Sequence, residues 1–272
     1  MIINHNMSAM NTHRQLGVNT GALSKNVEKL SSGYRINRAA DDAAGLSISE
    51  RMRSQIRGMD QAARNAQDGI SLVQTAEGAL QTVNNILVRV KELATQAANG
   101  TYDKTNDLAR INEEIGELAK EVKNIKDNTK FNGIKLLDGS QDVTLQIGIE
   151  AAQTLTLTAA SFDISAVDTA FTGYQFADQT AANGKLADIE DQINKVSSAR
   201  SYLGANQNRL ENSINNLNTT AENLQAAESR IRDLDMAKEQ MAFTKNNILT
   251  QASQAMLAQA NQLPQGVLQL LR

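Results

Sequence analysis

Residues 73–97, VQTAEGALQTVNNILVRVKELATQA, carry the pattern that decides the fold. Their apolar side chains recur at alternating steps of three and four residues, which is the seam of a coiled coil with a period of 3.5. The spacing extends back to Ile48 and predicts one long helix, ~1.5 Å per residue and on the order of 75 Å in length, typical of a rod. The predicted contact row contains Met52, Ile56, Met59, Ala63, Ala66, Ile70, Val73, Ala76, Leu80, Val83, Leu87, Val90, Ala94 and Ala97.

One irregularity interrupts this row. Two successive three-residue steps meet at Val73. Such a break in a heptad pattern changes the supercoil locally. The sequence therefore predicts a small deviation of the rod near Val73.

Two more seams lie further along the chain. Asn99-Gly100 is typical of a helix end, and a return helix follows with apolar residues from Leu108 to Ile125 at helical spacing. A third long helix is predicted to begin near Lys185 and to continue to Leu234. Short connections favour antiparallel packing of such helices.

The middle of the chain changes period. Asn132-Gly133 and Asp138-Gly139 are typical hairpin turns, and apolar residues then alternate with a period of two, first over 143–149 and later up to Ile164. Residues 165–184 show no usable period and are interpreted as a loop. The predicted fold is mainly α: a long antiparallel helical bundle or coiled-coil rod with a small β-hairpin region in the middle of the chain.

Both ends of the chain carry apolar stripes at helical spacing. They are predicted to pack on each other or on copies of the same chain. The two stretches are too short for an independent core, and a large apolar stripe left exposed on a monomer indicates an interface. An open helical polymer needs such non-closing contacts. The predicted subunit-packing residues are Ile3, Met7, Met10, Leu16, Leu23, Val27, Leu30, Ile248, Leu249, Met256, Leu263, Val267, Leu268 and Leu271.

The composition excludes several classes of function. The chain has 272 residues, 41% of them hydrophobic and 3% aromatic, with one proline and no cysteine, so its core must be aliphatic and no disulfide or thiolate metal site can form. The formal net charge is −3 with scattered Lys and Arg, which gives no electrostatic footprint for nucleic acid. No apolar run is long enough for a membrane span, and the first residues lack the pattern of a cleaved signal peptide.

Residues that could support chemistry are few. His5 and His13 are the two histidines and lack a zinc-binding spacing. Asp41 and Asp42 admit an acid–base interpretation, but adjacent carboxylates suit a helix N-terminus better. We therefore predict no catalytic, metal or cofactor site, and no enzyme.

Taken together, several motifs resemble those of bacterial flagellin, the filament subunit. They cover both ends and nearly all of the helical part: LSSGYRIN (residues 30–37), DDAAGL (41–46), RNAQDGIS (64–71), TAEGAL (75–80), TKFNG (129–133), LGANQNRL (203–210) and LPQGVLQLLR (263–272). The resemblance implies a structural subunit that polymerises into the flagellar filament used for swimming. It also implies that the terminal helices form a coiled coil in the assembled filament.

The resemblance also implies a domain organisation. Only residues 139–184 separate the two helical halves, which is typical of a short form without separate outer domains. The predicted parts are inner-core terminal helices at 1–34 and 239–272, linkers at 35–45 and 232–238, a helical rod at 46–138 and 185–231, and a β-hairpin and loop part at 139–184.

Partners and location follow from the same resemblance. It implies a homopolymer that meets flagellar cap and hook–filament junction proteins, and an extracellular filament exported by the flagellar apparatus without a cleaved signal peptide. A secretion chaperone is expected on the C-terminal helix. Arg89, Leu93 and Glu114 match family positions that a vertebrate Toll-like flagellin receptor binds; locally packed rod residues are the alternative.

Two other functions compete with this interpretation. A hook–filament junction protein shares the terminal patterns, although the complete LSSGYRIN and DDAAG stretches and the short middle favour flagellin. A cytoplasmic coiled-coil adaptor would account for the seams and leave the matched ends unexplained.

Overall fold

The computed structural model describes residues 5–100, 103 and 106–270, with side chains up to residue 262. Ile3 and Leu271 lie outside the described residues, and Leu263, Val267 and Leu268 lie outside the described side chains. The helices are α1 (Met7–Ser32), α2 (Ala43–Ala97), α3 (Asp107–Asn128), α4 (Ser165–Phe171), α5 (Gln179–Arg232) and α6 (Met236–Leu270). The strands are β1 (Lys130–Phe131), β2 (Ile134–Lys135), β3 (Val143–Gln146) and β4 (Thr154–Leu157). The mainly α prediction with a small β region is confirmed.

The described residues form two compact units. One consists of residues up to Ile56 together with those from Glu222 onward, and the other is Arg57–Ala221. The first unit contains the pair formed by α1 and α6. The predicted separation of terminal helices, linkers and rod differs from this grouping and remains a proposal about the assembled protein.

In the unit Arg57–Ala221, α2 buries an uninterrupted heptad row. Its positions 73, 76, 80, 83, 87, 90, 94 and 97 are all buried, as predicted. Nearer the N-terminus the row passes through Ala62 and Gly69, whereas Ala63 and Ile70 are half-buried. The alternation of three and four therefore continues through Val73, and the predicted irregularity is wrong.

The predicted contact row of α2 was misplaced before Val73 because one of its true positions, Gly69, has no side chain. A Cβ atom on Gly69 would collide with Leu145 Cδ1 of β3 and lie 3.4 Å from Leu210 Cδ1 of α5. The position belongs to the contact row because it has no side chain, so the neighbouring side chain can approach the helix backbone. The prediction followed apolar side chains and therefore placed Ile70 in the contact row in place of Gly69.

The middle of the chain contains two antiparallel hairpins. In β1–β2, Phe131 pairs with Ile134, and the turn places Asn132 at φ 49° and Gly133 at φ 83°. Positive φ at both central residues is the requirement of a type I′ turn, which Asn-Gly meets. In β3–β4, Val143 pairs with Leu157. The predicted strand at Phe162 and Ile164 is wrong, because a 3₁₀ turn at Ala159–Ser161 precedes them, although both side chains are buried.

The predicted loop at 165–184 is wrong as well. Helix α4 occupies Ser165–Phe171, and α5 begins at Gln179 rather than near Lys185. Phe171, Tyr174 and Phe176 of this segment are buried in the core, with the first two rings edge to face at 5.5 Å between centroids. Burial raises the pKa of Tyr174 to about 12.

Candidate functional site

The terminal helices α1 and α6 pack against each other in antiparallel order. Asn6 begins α1: its Oδ1 accepts a hydrogen bond from the Ala9 N–H at 3.1 Å, and its Nδ2 donates to the Ala260 carbonyl oxygen at 2.7 Å. Gly33 ends the helix at φ 72°, and its N–H donates to the Lys29 carbonyl oxygen at 2.9 Å. One side chain thus caps α1 and binds it to α6.

Buried and half-buried positions with alternating steps of three and four run along both helices, as expected for a coiled-coil seam. On α1 they are Ala9, Thr12, Leu16, Asn19, Leu23, Asn26 and Leu30; on α6 they are Glu239, Phe243, Asn246, Thr250, Ser253, Leu257 and Ala260. Nine of these fourteen side chains are polar or are alanine, and the large apolar ones are Leu16, Leu23, Leu30, Phe243 and Leu257.

Two asparagines connect the helices through this seam. Asn19 is 7% exposed, and its Nδ2 donates to Ser253 Oγ at 3.0 Å. In the amide orientation that satisfies both of its polar atoms, Asn26 donates to Glu239 Oε1 at 3.0 Å and accepts from Asn246 Nδ2 at 3.0 Å. The buried side chains of Asn19, Asn26 and Ser253 are therefore partnered across the interface, whereas the Thr250 hydroxyl donates to the Asn246 carbonyl oxygen within α6.

Large apolar side chains lie on the outside of the same pair. Met7 is 70% exposed and Met256 is 61% exposed. The other exposed large apolar residues of the two helices are Met10, Val18, Val27, Met236, Met241, Ile248 and Leu249. This outward set, with Met7 and Met256, is called the outer apolar face below.

The structure divides the predicted packing residues into two groups. Leu16, Leu23 and Leu30 are half-buried in the seam, whereas the other predicted residues with described side chains belong to the outer apolar face. Val18, Met236 and Met241 belong to that face too and were missed. Their apolar character was visible in the sequence, but they fall outside the helical rows used for the prediction.

A short junction follows α1 and precedes α6. Tyr34 and Asp233 form an antiparallel bridge. The guanidinium carbons of Arg53 and Arg232 lie 5.2 and 5.1 Å from the centroid of the Tyr34 ring. Arg53 also forms an ion pair with Glu228 at 2.7 Å, and the Glu228 side chain is almost fully buried. Cation–π contacts and this ion pair fix the two connections to each other.

The two adjacent aspartates accept backbone hydrogen bonds, Asp41 in the turn before α2 and Asp42 at the N-terminus of that helix. Asp41 Oδ2 accepts the backbone N–H groups of Asn37 and Arg38 at 3.2 and 3.0 Å, and these bonds hold the pKa of Asp41 below its usual value. Asp42 Oδ1 accepts the Gly45 N–H at 2.8 Å in the first turn of α2. Asp42 thus takes the predicted place at a helix N-terminus, whereas Asp41 stabilises the turn before it.

The three residues matched to the receptor positions are only partly exposed. Arg89 on α2 lies 2.9 Å from Glu114 on α3 and 3.2 Å from Glu92, and the hydrogen bonds to these carboxylates raise its pKa. Leu93 is 2% exposed and packs in the core. In the monomer, therefore, Arg89 and Glu114 form an exposed charged pair, whereas Leu93 is buried and is not an exposed anchor.

The described residues offer neither a metal site nor a membrane-spanning helix. These residues contain no cluster of three or more His, Asp or Glu that could hold a metal ion. Within the same part of the chain, no helix is both long and apolar enough to cross a membrane.

A pair of terminal helices with apolar side chains outside, together with a helical unit that carries two small hairpins, defines a helical structural subunit. Residues 3–142 match the family model of the bacterial flagellin N-terminal helical region, and residues 186–271 match that of the C-terminal helical region. The chain belongs to the bacterial flagellin family.

Relatives of similar length support this assignment. The chain is 58% identical over 273 residues to a flagellin of Halalkalibacterium halodurans and 52% identical over 304 residues to a flagellin of Bacillus subtilis, with 100% of each chain covered in both cases. The short form without outer domains is thereby confirmed. The protein is a structural subunit of the bacterial flagellar filament, an extracellular polymer of this chain.

Solved structures show the same fold. The crystal structure of Bacillus cereus flagellin has 33% identity and a TM-score of 0.51, covering 61% of this chain and 94% of that one. A putative flagellar hook-associated protein from Vibrio parahaemolyticus has 14% identity and a TM-score of 0.59, covering 71% and 100%. The second likeness shows the fold alone, whereas the full-length flagellin matches favour the filament subunit over a junction protein or an adaptor.

Proposed function

We propose that this flagellin polymerises through the outer apolar face of the α1–α6 pair. The observation that carries the proposal is the distribution of side chains: the seam mixes leucines and a phenylalanine with amides, hydroxyls and alanines, while the described methionines of both helices are exposed together with Val18, Val27, Ile248 and Leu249. An apolar surface of this kind is stabilised when neighbouring subunits cover it. Repetition of such a heterologous contact gives a filament used for swimming.

Seeded elongation tests this proposal. Burying one methionine contributes about 1.5–3 kcal/mol, and each 1.4 kcal/mol is tenfold in an equilibrium constant. Met256→Asp should therefore raise the critical concentration for growth from sheared filament seeds by at least about tenfold. Met256→Leu keeps an apolar side chain and should elongate seeds like wild type. Wild-type elongation by Met256→Asp would contradict the proposal.

The proposed work of the protein is assembly and not catalysis. The adjacent aspartates, the clearest candidates for acid–base chemistry, accept backbone hydrogen bonds. Cap and hook–filament junction proteins are proposed to meet the same outer apolar face at the ends of the filament, where no further subunit covers it.

A secretion chaperone is proposed to cover the C-terminal helix before export. Ile248, Leu249 and Met256 are exposed on α6, and such a surface favours association in a concentrated cytoplasm. Deletion of residues 248–272 should abolish both co-purification with the chaperone and polymerisation. A truncated chain that still forms filaments would refute this assignment. Export without cleavage predicts that filament protein keeps the N-terminal sequence of the cytoplasmic protein, which mass spectrometry of both forms measures.

The rod surface around Arg89 and Glu114 is proposed to contact the Toll-like flagellin receptor. Both side chains are about half exposed, and Leu93 lies beneath them as a positioning residue. Arg89→Ala should weaken receptor signalling by the purified monomer and leave filaments intact. Arg110→Ala removes a comparable exposed ion pair with Glu113 on α3 and serves as the matched control. Equal signalling by both variants would refute the assignment.

A further inference from the structure

The sulfur atoms of this chain are concentrated on the terminal helices. The sequence has eight methionines and no cysteine, so every sulfur in it is a thioether. Met1 lies outside the described residues, whereas Met52 and Met59 of α2 are half-buried and 9% exposed. The others, called the five exposed methionines below, are all more than half exposed on α1 and α6: Met7, Met10, Met236, Met241 and Met256.

A thioether differs chemically from the other apolar side chains of the outer apolar face, because hydroperoxides oxidise it. The sulfur lone pair attacks one oxygen of hydrogen peroxide, an S–O bond forms and the O–O bond breaks. The leaving hydroxide takes the proton of the sulfur-bound oxygen and becomes water, so sulfur loses the two electrons that the peroxide gains. The product is a polar sulfoxide in place of an apolar side chain, and exposed side chains react first.

We propose that the five exposed methionines are oxidation sites through which hydroperoxides prevent the monomer from assembling. All five belong to the outer apolar face, and no cysteine competes for the oxidant. A sulfoxide buried against a neighbouring subunit needs a hydrogen-bond partner, which an apolar contact does not supply. The effect on assembly rests on the proposed function, whereas the order of oxidation can be measured in the monomer.

Oxidation should leave the folded monomer intact. The seam between α1 and α6 is formed by residues other than the five exposed methionines. Their sulfoxides remain in water on the monomer, so circular dichroism should show undiminished helix content after oxidation. In a filament the same sulfoxides would have to be buried. Loss of assembly without loss of helix is therefore the expected result.

Peptide mapping by mass spectrometry tests the sites. Full-length monomer is treated with hydrogen peroxide, catalase stops the reaction after different times, and sulfoxide is quantified at each methionine. The five exposed methionines should oxidise several-fold faster than Met59, because the Met59 side chain is almost buried. Oxidation of Met59 as fast as the five would overturn the assignment of the sites.

Seeded elongation tests the effect on assembly. Oxidised monomer, freed of peroxide, is added to untreated sheared filament seeds. Its critical concentration should exceed that of untreated monomer by at least about tenfold, because apolar burial is lost at several positions. The two methionine sulfoxide reductases, one for each sulfoxide epimer, should return it to the untreated value. Elongation of oxidised monomer at the untreated critical concentration would overturn the proposal.

Leucine substitutions test whether these methionines carry the effect. Leucine keeps an apolar side chain of similar volume and has no sulfur. A variant with leucine at all five positions should elongate seeds equally well before and after peroxide. Met52→Leu/Met59→Leu is the matched control and should lose elongation after peroxide as wild type does. Equal loss by both variants would overturn the proposal. Reductase reversal tests the same point on the natural sequence, so the conclusion does not depend on the folding of the five-substitution variant.

The Met256→Asp variant separates this proposal from the proposed function. If Met256→Asp elongates normally, the assembly face is refuted, and the oxidation sites are decided by peptide mapping of the monomer. If Met256→Asp fails to elongate while oxidised wild-type monomer elongates normally, the assembly face stands and the oxidative block is refuted.

Discussion

Replacing Leu93 with alanine tests whether this residue belongs to the core of Arg57–Ala221 or to an exposed recognition surface. Leu93 is 2% exposed and belongs to the hydrophobic cluster that includes Val90, Ala94 and Leu108. Truncation removes three carbon atoms, at about 0.8 kcal/mol each, and leaves a cavity. The free energy of unfolding should therefore fall by about 3–4 kcal/mol. Loss of the half-exposed Arg89 ion pairs should lower this free energy far less, because water screens exposed charges.

Urea unfolding of purified monomer, followed by circular dichroism, measures the difference. Val88→Ala is the matched control: it lies on the same helix and is 42% exposed, so its unfolding free energy should stay within about 0.5 kcal/mol of wild type. A Leu93→Ala chain as stable as this control would refute the core assignment. Receptor signalling by the same proteins, measured while they are folded, then shows whether Leu93 affects recognition through Arg89 and Glu114.

Three further substitutions test other contacts. Arg53→Ala leaves the Glu228 carboxylate almost buried without its partner, and should lower the free energy of unfolding by about 2 kcal/mol in a urea melt. Backbone N–H groups of Arg38 and Asn37 lower the pKa of Asp41 below its ordinary value of 3.8. The ionised carboxylate therefore stabilises the fold when the pH is above this ordinary value, and the stabilisation is lost as the pH falls through the lowered pKa of the folded state. Asp41→Asn should thus be less stable than wild type near pH 6, with the gap closing in melts below about pH 3.8. Gly69→Leu crowds Leu145 and should lower the melting temperature of Arg57–Ala221 through about 1–3 kcal/mol of overpacking.

The central helix could be predicted from the sequence because one face of it is buried without interruption. Every predicted position of its contact row from Val73 to Ala97 is buried. The prediction failed where contact depends on a missing side chain, as at Gly69. It failed again over 165–184. The short helix that ends at Phe171 and the connection that carries Tyr174 and Phe176 bury these rings without a repeated spacing of apolar residues.

The terminal helices show a different limit of sequence reasoning. Their apolar residues were recognised, but the inward positions of Asn19 and Asn26 were not, because asparagine on a helix ordinarily indicates a solvated face. The hydrogen bonds that make these positions interior reach residues more than two hundred positions away in sequence. No local pattern contains that information.

The polar positions of the seam leave many apolar side chains of the terminal helices exposed on the monomer. A helix pair that buried its methionines and aliphatic residues would be stable alone and would have little left to offer a neighbour. Here the inward residues include Asn19, Asn26 and Ser253, and such partnered polar groups contribute less than apolar packing of the same size. Under the proposed function, the exposed methionines and aliphatic side chains of the pair are buried only when subunits meet. The stability of the terminal helices should therefore rise on assembly, and hydrogen exchange of α1 and α6 should be slower in filaments than in monomer by a larger factor than exchange of the core of Arg57–Ala221.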